Sequence, residues 1–293
     1  MVVRRPYVAG TFYAGSRERL REQLEWCFQS AIGPGRPPRP PTRPLPGPVA
    51  LILPHAGYQY SGPIAAWGFS WLAEQGRPEA VVIVGTNHTG YGGRISIMTS
   101  GAWEIPLGTM EIEASLAETL LERDRARGGL IEACPEAFSQ EHSIEVQLPF
   151  LEWLFRGVRF VPLVVLDQRL EVARGLGQVL AEAADARPIA LIASSDFTHY
   201  EPHEQAVRRD HGAIERLQEF DLEGFYELVG RERISICGYG PIGAVVEAAR
   251  LLDLGEGRLL KYATSGEVTG DRAAVVGYAS LAFEPKAEAA TES

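Results

Sequence analysis

Lysine is nearly missing from the chain: Lys261 and Lys286 stand against 26 arginines. Acidic residues outnumber basic ones, 38 to 28, for a net charge of −10, so the bulk field repels nucleic acid and anionic membrane. Cysteine is scarce too. Cys27, Cys134 and Cys237 form no CxxC pair, which argues against a disulfide framework and leaves each thiol to be read first as a small buried apolar residue. Nowhere do eighteen apolar residues run together, and the opening MVVRRPYVAGTFYAG lacks the long apolar segment of a signal peptide. No membrane span is expected, and the expected location is the cytoplasm. No repeat of fixed period runs through the chain, which excludes a solenoid.

What is present is an ordinary supply of core-forming residues, 45% apolar against 23% charged, in 293 residues. The stretch Val49–Gly62 reads VALILPHAGYQYSG: an apolar run stopped by Pro54, with His55 at once behind it. Such a run reads as a buried strand that cannot continue, and open α/β sheets build their ligand sites at the carboxyl ends of strands. The plan recurs twice. Ala80–Gly85 runs into Thr86-Asn87-His88, and Ile189–Ala193 runs into Ser194-Ser195-Asp196-Phe197-Thr198-His199.

Further strands are expected over Arg94–Thr99, Val158–Leu166 and the two closing runs LLKYATS and AAVVGYASLAF. Helices are expected from Ser16 onward, from Ser61-Gly62-Pro63, and over Glu113–Arg123, Arg169–Ala183, His203–Glu219, Leu222–Val229 and AVVEAARLL. Ser139 is expected to cap one more, with Ile144, Leu148, Leu151 and Phe155 on one face. Residues 33–48 contain eight prolines and read as a stiff exposed connector. Strands alternating with helices predict an α/β fold with a mostly parallel central sheet flanked by helices. Length alone leaves one large domain or two small ones open.

Six histidines are present, and His203 and His211, on a charged helix, read as ordinary polar residues. His55, His88 and His199 each follow an apolar strand, so their loops should converge. Cys237 lies before a Gly-Tyr-Gly-Pro turn and a helix, and a helix N-terminus favours the thiolate that binds metal or attacks carbon. Asp196, three residues before His199, either orients an imidazole or caps the local turn. His142 and Glu145 share a helical face and either reach the pocket or form a solvated pair.

The ordered set RRPYVAGTFY, PHAGYQYSG, GTNH, SQEHSIEVQLPFLE, SSDFTHY and CGYGPI resembles the MEMO family across residues 4 to 243. The bacterial and archaeal members of that family include protein B of the AmmeMemoRadiSam system. The resemblance implies a single α/β domain over residues 1–293, similar in fold to the class III extradiol dioxygenases. It implies a metal site at His55, His88 and Cys237 that holds iron or copper, with zinc as a further candidate. His199 would match the acid/base histidine of those dioxygenases, with Asp196 beside it and His142 lining the pocket. It also implies radical-SAM and AMMECR-type partner proteins and a peptide or small-molecule substrate. One departure stands out: two histidines and a carboxylate hold iron in the dioxygenases, and Cys237 takes the carboxylate's place here, so catechol cleavage does not carry over.

The leading expectation is therefore a mononuclear metal oxidoreductase in which His199 moves protons and Asp196 holds it in the useful tautomer. Two other classes stay open. One is a hydrolase with Cys237 as nucleophile and His199 as base, or with zinc. The other is a peptide-binding module that catalyses nothing.

Overall fold

An apolar run without polar alternation has to be buried on both faces, and four such runs lie side by side here. The computed structural model describes residues 2–185 and 187–286. Its first elements are β1 (Val3–Arg4), α1 (Arg17–Gln29), β2 (Val49–Leu53), α2 (Tyr58–Gln75), β3 (Ala80–Thr86), β4 (Ile95–Ile97), β5 (Ala102–Ile105) and β6 (Gly108–Glu111). Next come α3 (Ala114–Arg125), β7 (Ile131–Ala133), α4 (Leu148–Leu154), β8 (Arg159–Val165), α5 (Leu170–Ala184) and β9 (Ala190–Ser194). The chain closes with β10 (His199–Glu201), α6 (His203–Gln218), α7 (Leu222–Glu232), α8 (Tyr239–Leu251), β11 (Arg258–Thr264), α9 (Gly266–Thr269) and β12 (Val275–Phe283).

Among the described residues the main sheet has nine strands in the order β10-β12-β2-β9-β3-β8-β4-β7, with β11 paired to β12. Its centre, β2-β9-β3-β8, is parallel. Both flanks turn antiparallel, through β12 on β2 and β4 on β8. Alternate residues of the central strands feed two cores. Ala50, Ile52, Val82, Val84, Leu191 and Ala193 face the layer of α3, α5 and α8. Val49, Leu51, Leu53, Val81, Ile83 and Ile192 face the layer of α1, α2 and α4. Period-two side chains buried on both sides are what made these segments read as unbroken apolar runs. Helix α2 packs tightly on β2: a Cβ at Gly68 would sit 2.2 Å from Leu53 Cδ2, so the glycine leaves room for that side chain.

A separate three-stranded sheet, β1-β5-β6, has strands of two to four residues, too short to show a pattern in sequence. Within residues 33–48, Leu45 is buried and its N–H donates to Arg77 O, while Pro34, Pro37 and Pro38 share a groove with Trp67 and Trp71 of α2. No helix among the described residues is long and apolar enough to cross a membrane.

Two expectations are corrected. Helix α2 begins at Tyr58, whose N–H donates to Phe12 O, and Pro63 lies inside it instead of opening it. The long helix expected after Ser139 is broken into short turns before α4. The Glu141 carboxylate accepts the N–H groups of His142 and Ser143, and the second is the first N–H a helix capped by Ser139 would have used for itself. The apolar stripe survives this: Ile144, Leu148, Leu151 and Phe155 are all buried.

Candidate metal centre

Strand order explains why distant residues meet. β9 lies between β2 and β3, so the loops carrying Asp196, His55 and His88 leave three adjacent carboxyl ends. Neighbouring parallel strands are about 4.8 Å apart, and imidazoles span two such steps. His142 arrives from the turns before α4, and Cys237 from the loop that opens α8. Together they line a cleft of about 700 Å³ whose outer walls include Phe12, Tyr60, Tyr200 and Tyr278.

The imidazoles of His55, His88 and His142 each place one ring nitrogen within 4.8 Å of the others, a group that can hold a metal ion. The rings of His88 and His142 stack at 4.5 Å, and His55 meets both edge-on at 5.3 and 5.4 Å. Cys237 Sγ lies 3.1 Å from His55 Nε2 and accepts the Asp196 N–H at 3.2 Å. A Cβ at Gly238 would come within 2.7 Å of both Ser195 Cβ and Thr86 Oγ1, so glycine is what lets the Cys237 turn sit this close.

The hydrogen-bond network fixes the His55 tautomer. Ser194 Oγ donates its one hydrogen to Ser143 O at 2.6 Å and accepts from Gln147 Nε2 at 2.8 Å. Toward His55 Nδ1, 3.3 Å away, it can therefore only accept. Nδ1 carries the proton, and the Nε2 lone pair points at Cys237. On the other side of the cleft the fully buried Glu141 accepts from His88 N at 2.7 Å and lies 3.0 Å from His88 Nδ1.

Charge follows from these contacts. Burial alone would lower His88, but hydrogen bonds to Cys237 and Glu141 outweigh it and raise the metal-free imidazole to about 9. Burial and the neighbouring His55 push His142 well below the usual imidazole range. Glu141, despite its burial, is held well below the usual carboxylate range by its bonds from His88. Neutral nitrogens on His55 and His142, His88 once it gives up its proton, and the soft Cys237 sulfur offer donors that suit iron, copper or zinc.

His199 lies on the same cleft, half-buried, away from the trio. Its orientation corrects an expectation: Asp196 makes no hydrogen bond to this ring. Its Nδ1 donates to Ser235 O at 2.8 Å, which leaves Nε2 free to take a proton. Asp196 Oδ1 instead accepts the His55 backbone N–H at 2.8 Å, so that carboxylate holds the loop of the first histidine. Glu145 is corrected as well. It neither faces the cleft nor pairs with His142 in solvent; it is fully buried and accepts from Arg4 Nη1, Tyr7 N, Val8 N and Tyr13 Oη. Those bonds tie down the N-terminal segment, and the Phe12 ring on that segment packs 4.9 Å from His142. His203 pairs with Thr264 Oγ1, and His211 packs on Tyr262, both outside the cleft.

Glu141 escaped the sequence reading. Its only signal was an acidic residue beside a histidine in SQEHS, which looks the same in a solvated turn.

A solved structure of an uncharacterized protein from Escherichia coli K12 superposes with a TM-score of 0.51 at 16% identity, covering 80% of this chain and 98% of that one. This likeness concerns the fold alone. A MEMO1 family protein of Methanopyrus kandleri is 47% identical over 285 residues, covering 96% of this chain and 98% of the relative. Another, of Pyrobaculum arsenaticum, is 44% identical over 287 residues, covering 97% and 99%. The family model described as "Memo-like protein" matches residues 4–282, and the chain belongs to that family.

Proposed function

We propose that the chain is a mononuclear metal-dependent oxidoreductase in which His55, His88 and Cys237 hold an iron or copper ion and His142 flanks it. The observation that carries this reading is the convergence of three imidazoles in one open cleft, with a thiol 3.1 Å from His55 Nε2. Such an ion supplies one-electron redox chemistry and a Lewis-acidic position when bound. The remaining work falls to the chain. Ser194 keeps His55 Nε2 bare, and Asp196 holds both the His55 backbone and, through its N–H, the Cys237 sulfur. His199, with Nδ1 committed to Ser235 O, takes or returns a proton at Nε2 on the substrate side. Phe12, Tyr60 and Tyr278 wall the cleft with aromatic surface against which an organic substrate can pack.

Anaerobic metal analysis tests the reading. Purified wild type should hold near-stoichiometric iron or copper, and Cys237→Ala and His88→Ala should each lose it. Retention of metal in both variants would overturn the ligand assignment.

The same 3.1 Å contact favours a second reading, a thiol nucleophile paired with an imidazole base. The base would then be His55, in place of the expected His199. Rapid trapping of Cys237 by a thiol reagent in protein that binds no metal even after reconstitution would move the assignment there.

A further inference from the structure

We infer that Glu141 is a positioning residue of this site, presenting His88 to a cation with Nδ1 protonated and Nε2 bare. The inference rests on the metal-binding reading above and concerns a residue outside its ligand set. Glu141 is fully buried, and its two oxygens meet four N–H groups and no acceptor. Oε2 takes the His88 backbone at 2.7 Å, and Oε1 takes the backbones of His142 and Ser143 at 2.8 Å each. The fourth contact, at 3.0 Å, runs from Oε1 to His88 Nδ1. An ionised carboxylate only accepts, so Nδ1 has to carry a hydrogen, and Nε2 is the nitrogen left to give up its proton to a cation. His55 reaches the same tautomer through Ser194, so two rings are set by two unrelated partners.

A purely structural acid would need only the three backbone bonds. The ring bond is the additional feature, and a carboxylate behind a ligating imidazole orients the ring and raises its basicity. The same side chain holds the backbone of His142, whose ring stacks on His88 at 4.5 Å, so one residue sets the relative placement of two imidazoles. It is itself braced: Arg4 Nη2 donates to Glu141 O at 2.7 Å, and Arg4 Nη1 is anchored on Glu145 at 2.7 Å. A chain of bonds thus runs from the N-terminal segment to the ring of His88.

The probe is Zn²⁺, added to full-length protein with ¹⁵N-labelled histidine. His88 should bind through Nε2 and show a slowly exchanging Nδ1–H, and in Glu141→Gln, a neutral and weaker acceptor, that signal should shift and exchange faster. The variant should also bind zinc roughly ten- to a hundredfold more weakly against a chromophoric chelator. A glutamine can accept from His88 Nδ1 only by turning its NH₂ toward the His88 backbone N–H, so the substitution cannot restore all four bonds. Binding through Nδ1 in the wild type, or an unchanged His88 spectrum and zinc affinity in Glu141→Gln, would overturn the inference while the metal site stands. If the wild type binds no metal, the metal reading fails. The metal-free spectrum then decides for Glu141, which stands only if the wild type shows the bonded Nδ1–H. Should Glu141→Gln fail to fold, the wild-type spectrum settles the matter alone.

Discussion

Replacing Asp210 by asparagine should make the protein more stable at neutral pH and leave it unchanged in acid. Asp210, on α6, is fully buried. Its Oδ1 accepts from the backbone and hydroxyl of Thr198, the residue before His199, and its Oδ2 accepts from Tyr262 Oη at 2.8 Å. Burial raises its carboxyl from the ordinary 3.8 to about 6, against the opposing pull of these hydrogen bonds and of His199. The folded state therefore holds the proton more tightly than the unfolded chain. Stability is fully present below pH 3.8, declines as pH rises, and has lost its whole share above pH 6. At 1.36 kcal/mol per pH unit the loss comes to about 3 kcal/mol. Asparagine resembles the protonated acid: its oxygen can serve Thr198, and its NH₂ can donate to the Tyr262 oxygen. Chemical denaturation of metal-free protein between pH 4 and 8 should show the variant ahead by about 2–3 kcal/mol at pH 7, roughly 5 °C in Tm. The two proteins should converge toward pH 4. A variant weaker than wild type at pH 7, or a difference that does not change with pH, would refute the reasoning.

Metal affinity should rise with pH, because His88 has to lose its proton before it can ligate. Zinc competition should strengthen by about tenfold per pH unit from pH 7 toward the His88 value of about 9, and a flat profile above pH 7 would contradict the assigned charge. Gly238→Ala puts a Cβ 2.7 Å from Ser195 and Thr86, so thermal melts should show a loss of about 1–3 kcal/mol, and metal content should fall as the Cys237 turn is displaced. Phe150→Ala empties a place stacked on Phe69 at 4.8 Å and packed against Tyr58 and Phe28, outside the lining of the cleft. Denaturation should show about 3–5 kcal/mol lost with metal content per folded molecule unchanged.

Three parts of the site legible in sequence, His55, His88 and Asp196, share one property: each follows a strand buried on both faces. Val49–Leu53, Ala80–Thr86 and Ala190–Ser194 announce themselves as apolar runs because neither side of the central sheet meets water. The residues that follow them, His55, His88 and Asp196, are therefore placed by chain order and strand parallelism alone. Glu141 and Glu145 were illegible for the opposite reason. Buried carboxylates in a polar turn look like surface residues until their donors are known, and Arg4, Tyr7, Val8 and Tyr13 lie more than 130 residues away from Glu145.

Local sequence thus determined the α/β plan, the loops that carry histidines, and the apolar stripe from Ile144 to Phe155. Burial and periodicity are properties a segment carries with it. Only the tertiary structure decided which hydrogen-bond acceptor stands behind each ring: Ser194 behind His55, Glu141 near His88, the Ser235 carbonyl behind His199. It also turned Asp196 from the expected partner of His199 into the clamp on the His55 backbone. The reason is physical. A tautomer depends on one atom a few ångströms away, and the chain brings that atom there from a distant segment, so no local pattern records it.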